Sequence, residues 1–375
     1  MSKKYLLKDE LFSIPKVVCV AKEIGAVYDS FEVEAFITEV INLFPQLELK
    51  ERMYHMSSVL RIYLPSSYVE AVDILLQSLP IELDSTLRDD DFGDFIYATY
   101  SEFVVAYGCS DEYVELSLQA LLEMTKRFSV EYAIRDFINH YPKETLSLLT
   151  TTLTSTHYHQ RRLVSEGLRP KLPWAKGIDI DYRVAIPYLD KLHSDQTRYV
   201  TRSVANHLNN ISKIDAPLVI ETLQRWRVMG SQEPKEMEYI TRHALRTLVK
   251  QGDRKALELL GYERYPAIAM SGFSLSTDTV MVGESLVFEL TIEARSGVRL
   301  MVDYIIYFRT KLGALSPKVY KLKKLQLKKG EIVILKKQHL FRANMSTRAL
   351  YKGAYRLELQ VNGVVVESGL FDLVV

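Results

Sequence analysis

The sequence predicts a stack of paired helices followed by an all-β sandwich, and three observations carry that prediction. From the start to about Pro266, apolar residues recur every three or four positions, as in Glu115–Met124 and Ala216–Trp226. Within that region Tyr-x-x-Arg returns three times, at Tyr158–Arg161, Tyr199–Arg202 and Tyr239–Arg242, at offsets of 41 and 40 residues. After about Ser271 the period changes from helical to alternating.

The helical part reads as short helices in pairs. Prolines at 65, 80, 142, 187, 217 and 234 fall near helix starts, where a missing N–H costs nothing. A unit of about 40 residues, each an apolar helix followed by a second helix, has the period of HEAT-like repeats. Such units stack into a solenoid with one long concave face. Arg161, Arg202 and Arg242 then recur at equivalent points of adjacent units. A row of cations fits the phosphates of duplex DNA, which dominate affinity. The plainer alternative is that each Arg stacks on its own Tyr or pairs locally.

Between the first two repeats lies Arg161–Trp174, where four cations, one carboxylate and one tryptophan surround a helix stop. Arg162 and Glu166 share a helix face at i, i+4. Gly167, Pro170 and Pro173 end that helix just beyond the carboxylate, and the chain is expected to turn Trp174 back near Glu166. A carboxylate beside an indole, ringed by Arg and Lys, suits a cationic or electron-poor aromatic group attached to a polyanion. The structural reading is an ordinary ion pair worth a few tenths of a kcal/mol, on the order of other exposed helical pairs, with Trp174 capping the core and Arg169 and Lys171 solvated.

In the last part, Leu286–Glu293, Met301–Phe308, Glu331–Leu335 and Tyr355–Val361 read as strands, and Asn362-Gly363 is a hairpin signal. About seven strands in this length imply a sandwich, and Tyr351-Lys-Gly-Ala-Tyr355 resembles the tyrosine corner of immunoglobulin-like domains. The expected division is therefore 1–266 helical and 267–375 sandwich. The overall formal charge of +1 hides a segregation. Residues 301–350 hold twelve Lys or Arg against Asp303 and Glu331, whereas the stretch from Asp84 to Glu123 is acidic. Segregated charge points to a polyanion-facing surface, centred on Ser316-Pro-Lys318 and the strand and turn expected to follow it.

Composition narrows the function classes. A chain of 375 residues with 47% hydrophobic and 25% charged residues is long enough for two cores and has the make-up of a soluble globular protein. The charged N-terminus, Met1-Ser-Lys-Lys-Tyr-Leu-Leu-Lys-Asp-Glu10, reads as neither signal peptide nor anchor, so a cytosolic location is expected. Two cysteines, Cys19 and Cys109, make no disulfide framework or metal spacing. His157 and His159, at i, i+2, point to different sides of a helix and make a poor metal pair. His207 reads as a structural or phosphate-facing group. No phosphate-cradling glycine loop or nucleophile elbow is found.

Phe128–Ile138, Arg161–Trp174 and Arg202–Ile211 together resemble the AlkC branch of the AlkC/AlkD bacterial DNA alkylation-repair glycosylases. Val302–Ile306 and Leu315–Tyr320 resemble the extra immunoglobulin-like domain found in part of that branch. The resemblance implies an all-α HEAT-like helical-repeat solenoid followed by an all-β immunoglobulin-like sandwich. It also implies removal of alkylated bases, N3-methylated adenine and further N3-methylated cytosine, without extrusion of the base into a pocket. By that likeness Glu131 and Glu166 take carboxylate roles, Trp174 forms an aromatic wall, and Asn210 stands where the family motif has Asp. Asn keeps hydrogen bonding there and loses the charge. The expected DNA contacts are Arg161, Arg162, Arg169, Lys171, Arg202, Asn206 and Arg242 in the helical part and Ser316 and Lys318 in the sandwich.

The chemistry agrees with these residue types. A base alkylated at a ring nitrogen is cationic and already a good leaving group, so a positioned carboxylate and an indole face are sufficient help. The expected ligand is double-stranded DNA containing alkylated bases, with no metal or cofactor, no membrane and no obligate protein partner, bound by a monomer in the bacterial cytosol near the nucleoid. Two other classes stay open: a non-catalytic DNA-structure-binding protein of the same architecture, and a helical scaffold for proteins, which the basic sandwich suits less well. Salt-sensitive DNA binding separates the scaffold from the others, and base release separates the enzyme from the binder.

Overall fold

The computed structural model describes residues 6–87, 89, 92–343 and 348–374, so residues 1–5 of the N-terminal reading lie outside it. Among the described residues, helices occupy the chain to Leu259 and strands follow from Ile268. No helix among them is long and apolar enough to cross a membrane. The chain forms two compact units, one of 1–211 with 226–244 and the other of 212–225 with 245–375.

The first unit is built of helical hairpins whose apolar stripes interlock. In Ile14–Val27, for example, Val17, Val20, Ala21 and Ile24 are buried, the i, i+3, i+4, i+7 pattern of a helix with one face inward. The repeat read from the sequence is present as stacked helices: Tyr158–Gly167 packs on Arg198–Ile211, which packs on Pro234–Ala244. The middle helix is buried on most of its sides because it has a neighbour on each flank. Tyr158 and Tyr199 meet edge to face at 5.7 Å. Arg162 lies 4.6 Å over the Tyr199 ring and Arg198 3.8 Å over that of Tyr239, so a cation of one repeat caps the tyrosine of the next. Pro142 and Pro234 open their helices, whereas Pro80 follows the end of the Tyr68–Gln77 helix.

Among the described residues the second unit carries a sandwich of eight strands, one more than the alternation suggests: β1 (Ile268–Leu275), β2 (Thr279–Met281), β3 (Ser285–Ala294), β4 (Val298–Arg309), β5 (Leu315–Leu327), β6 (Ile332–Leu340), β7 (Gly353–Val361) and β8 (Val364–Val374). One sheet has the order β1-β3-β6 and the other β2-β8-β7-β4-β5. Leu286, Phe288, Leu290 and Ile292 of β3 face Leu300, Val302, Tyr304 and Ile306 of β4 across the core. Asn362 and Gly363 both have positive φ (47° and 81°), as the two-residue turn pairing Val361 with Val364 requires. The Asn362 amide also donates to the carbonyl oxygens of Glu263 (2.6 Å) and Arg299 (3.2 Å), fastening the preceding segment to the sandwich. The tyrosine corner is present: Tyr355 Oη donates to the Tyr351 carbonyl oxygen at 2.8 Å.

Ser316-Pro-Lys318 corrects the sequence reading in one respect, since it lies inside β5 and not ahead of a strand. Pro317 is tolerated there because β5 is the sheet edge, paired only with β4. Lysines at 318, 321, 323 and 324 line that edge, which also discourages strand addition by another chain.

Candidate active site

Three segments far apart in sequence converge on a buried polar network. The turn that leads into the Ile134–His140 helix supplies Glu131; the Tyr158–Gly167 helix and the loop after it supply Arg162, Glu166 and Arg169; the Arg198–Ile211 helix supplies Ser203 and Asn210. Arg162 pairs with Glu131 at 2.8 Å and with Glu166 at 3.8 Å, so one guanidinium bridges both carboxylates. Ser129 Oγ donates to Glu131 Oε2 at 2.9 Å. Arg169 donates from Nη1 to Glu166 and from Nε to Asn210 Oδ1, the latter at 2.9 Å. Ser203 Oγ also donates to Glu166.

Exposure separates the two carboxylates. The Glu131 side chain is 15% exposed and that of Glu166 only 5%. Burial pushes the Glu166 carboxyl up, and the Arg162 and Arg169 guanidiniums with the Ser203 hydroxyl more than reverse it, holding the group below the ordinary carboxylate range. Glu166 is therefore a fixed anion near neutral pH. His207 is buried, meets the Ser165 carbonyl oxygen through Nδ1 at 2.9 Å, and is pushed by burial down to about 3. It is a neutral structural group. His159 is likewise pushed down to about 3 by burial, then by His157 and Arg162.

Trp174 is largely open to solvent, whereas Glu166 is buried. Leu172-Pro-Trp-Ala175 closes through a bond from the Ala175 N–H to the Leu172 carbonyl oxygen (3.3 Å), with φ +63° at Trp174. Proline at the second position and positive φ at the third are the features of a type II turn, in which glycine or asparagine normally holds the third place. A tryptophan there is strained, and the residue is 63% exposed. The backbone is held in place: Lys50 Nζ donates to the Trp174 carbonyl oxygen.

The proposed row of cations is revised by its partners. Arg161 Nε pairs with Asp195 at 2.6 Å while its Nη1 donates to the Ser155 carbonyl oxygen at 2.8 Å, and Arg202 is paired with Asp89. Both carboxylate partners lie far off in sequence, 34 residues from Arg161 and 113 from Arg202, so neither pair is the local one the plainer alternative named. Arg242 and Lys171 are exposed. Asn206 accepts from His243 at 2.8 Å. In the sandwich Ser316 is half-buried and Lys318 is exposed, with Nζ 5.2 Å over the Tyr320 ring. A groove of about 1330 Å³ lined by Arg198, Trp226, Gln232 and Glu236, among others, includes none of Glu131, Glu166 or Trp174.

Sequence reasoning missed Ser129, Ser203 and Arg135. The two serines lie inside or beside the segments that drew attention, but nothing in their spacing sets them apart. Arg135 stands four residues after Glu131 and is fully buried.

Comparison with known proteins agrees with this architecture. The family model described as "Uncharacterised protein YhaZ, C-terminal Ig-like domain" matches residues 269–375. The protein YhaZ of Bacillus subtilis (strain 168) is 32% identical over 345 residues, covering 91% of this chain and 92% of that one. A solved structure of the Pseudomonas fluorescens alkylpurine DNA glycosylase AlkC, bound to DNA containing an abasic site analog, superposes with a TM-score of 0.86 at 29% identity, covering 99% of this chain and 100% of that one. With paired helices, a tyrosine-cornered sandwich and this full-length similarity, the chain belongs to the AlkC-type family that includes YhaZ and carries a C-terminal immunoglobulin-like domain.

Proposed function

We propose that this protein is a DNA glycosylase that hydrolyses the N-glycosidic bond of cationic alkylated bases, among them 3-methyladenine and 3-methylcytosine, without drawing the base into a pocket. The observation that carries the proposal is the carboxylate pair Glu131 and Glu166 bridged by Arg162 in a chain of AlkC type. In the reaction the C1′–N bond breaks and its electron pair leaves with the base, which departs neutral. The sugar becomes oxocarbenium-like, and water adds at C1′ and loses a proton. A carboxylate about 4 Å from that sugar is worth about 4 kcal/mol at an effective dielectric near 20. Realised only in the transition state, this is roughly a thousandfold in rate.

The two carboxylates divide the work. Glu131 is the more exposed and is assigned to the sugar and the attacking water. Glu166, fastened by Arg169 and Ser203, holds Arg162 and through it Glu131. Trp174 supplies an exposed aromatic face for the cationic base. Lys171 and Arg242 are assigned to phosphates, as are Ser316 and Lys318 in the sandwich. Arg161 and Arg202 contribute only if DNA displaces their present carboxylate partners.

The test is release of free 3-methyladenine from methylated duplex DNA by the purified protein in EDTA, alongside Glu131→Gln and Glu166→Gln. Release by the wild type and not by Glu131→Gln supports the assignment, and full release by Glu131→Gln refutes it. A second reading, a DNA-structure-binding protein without excision, is favoured by one observation: Asn210 takes the Arg169 Nε bond without bringing a charge. Salt-sensitive binding with no base release, and release gained by Asn210→Asp, would establish that reading.

A further inference from the structure

The loop that carries Trp174 is held at both ends by one buried side chain. Arg135 Nη1 donates to the carbonyl oxygens of Gly167 (3.1 Å) and Arg169 (2.9 Å), and Nε donates to that of Lys176 (2.6 Å). The first two acceptors lie where the chain leaves the Tyr158–Gly167 helix, and the third lies just past the type II turn. A single guanidinium therefore closes the neck of the loop. The same short helix, Ile134–His140, supplies two more ties. Asp136 accepts from Lys176 Nζ, and Asn139 bonds on both sides, donating to the Gly177 carbonyl oxygen at 3.1 Å and accepting from the Asp179 N–H at 2.9 Å.

Arg135 is an expensive way to fill this space. It is fully buried, and among the described residues its second terminal nitrogen has no hydrogen-bond partner, so it bears a desolvation cost that an apolar residue of similar volume avoids. What a guanidinium supplies that a methionine or lysine cannot is a rigid planar fork, with donors aimed at once toward both ends of the loop. The Arg169 carbonyl oxygen is one of its acceptors, and the Arg169 side chain fastens Glu166 and Asn210. The clamp thus reaches the aromatic turn and the carboxylate network through the same loop.

We propose that Arg135 is a positioning residue that holds the Trp174 turn and the Arg169–Glu166 pair in one fixed frame. The effect on rate rests on the glycosylase reading above; the effect on the loop does not. Misplacement of a reacting assembly by about 1 Å costs up to roughly 100-fold in rate. Arg135→Lys keeps the charge and loses the fork, so single-turnover excision of 3-methyladenine should fall roughly 10- to 100-fold, with affinity for undamaged duplex within about twofold because no exposed cation is removed.

The independent readout is fluorine NMR of protein labelled with 5-fluorotryptophan. The chain has two tryptophans, and Trp226, fully buried with Nε1 donating to Asp190 at 2.7 Å, reports on the surrounding fold. In Arg135→Lys the Trp174 resonance should move toward its position in the unfolded chain while that of Trp226 stays in place. An unchanged Trp174 resonance in a folded variant overturns the proposal. Excision absent already in the wild type refutes the glycosylase reading and leaves the fluorine result to judge the clamp. If Arg135→Lys fails to fold, hydrogen exchange of the wild type decides: the clamp requires amides of the loop between Leu168 and Gly177 that are bonded or buried to exchange with the Ile134–His140 helix, and their exchange well ahead of it overturns the proposal.

Discussion

Neutralising Glu166 while leaving its partners in place should destabilise the protein by about 3 kcal/mol, because it strands a buried cation. Glu166→Gln keeps the size and an acceptor for Ser203 but removes the charge that balances Arg162 and Arg169. At the 3.8 Å separation of Arg162 and Glu166, one unit pair at an effective dielectric near 20 is worth about 4 kcal/mol. Loss of one member of a buried ion pair typically costs about 3–5 kcal/mol. The lower end applies because Arg162 keeps Glu131 at 2.8 Å and Arg169 keeps Asn210 at 2.9 Å. Urea unfolding followed by fluorescence measures the loss. The double variant Glu166→Gln/Arg169→Met removes the stranded cation as well and should be less destabilised than the two single changes added together, by at least about 1.5 kcal/mol. A Glu166→Gln protein within about 0.5 kcal/mol of the wild type, a scale at which additivity is usually met, or a double variant that is simply additive, refutes the buried-network account. Excision by Glu166→Gln must accordingly be assayed where that variant is fully folded.

Trp174→Gly places the residue a type II turn prefers at φ +63°. It should leave stability unchanged or raise it by up to about 1 kcal/mol while lowering excision, and a clear drop in melting temperature would contradict the strain. The half-buried carboxyl of Glu102 is pushed up to about 7, by burial first and then by Asp136, against the opposing charges of Lys176 and Lys50. The folded state therefore binds more protons than the unfolded state from the ordinary value of 4.5 up to about 7, and stability is lost as pH rises through that window. Allowing for solvent relaxation at a partly open site, Glu102→Gln should be the more stable protein at pH 8 by about 1–2 kcal/mol, and urea midpoints showing no pH-dependent difference would exclude this. Lys318→Glu should weaken binding to undamaged duplex and lower the slope of log affinity against log salt by about 1–2; unaltered titrations would remove β5 from the DNA-contacting surface.

What was legible in the sequence was what local spacing encodes. The change of period at about Ser271 marks the start of the sandwich because burial follows secondary-structure geometry directly. Asn362-Gly363 gives its turn because few residue pairs tolerate two positive φ angles. Arg162 and Glu166 share a face because a helix puts i and i+4 together. The Arg161–Asp195 pair was not legible, since its members are brought together by stacking of successive hairpins. The exposure of Trp174 was not legible because Gly167 and the two prolines announce a turn without fixing how open its third residue is left. Arg135 left no signal because its acceptors are backbone carbonyls, which every residue has, so no pattern of side chains betrays the site.

On the glycosylase reading proposed above, the network also bears on how a site lined with arginines would serve a cationic substrate. Glu131 and Glu166 are balanced by Arg162 and Arg169, and a compact balanced cluster has little net field at a distance. Close to its edge the arrangement matters more than the sum. Glu166 lies at the buried end with Arg169, and Glu131 at the more exposed end with Ser129. Arg162 stands between the carboxylates and is occupied by both, with its plane over Tyr199. A group arriving at the open end therefore meets Glu131 first. This is a preorganised dipole and not a reservoir of negative charge, and its aim depends on Arg162 being held from behind. Glu166 then matters to the chemistry through the direction it gives to Arg162 and Glu131, although it need not touch the reacting atoms.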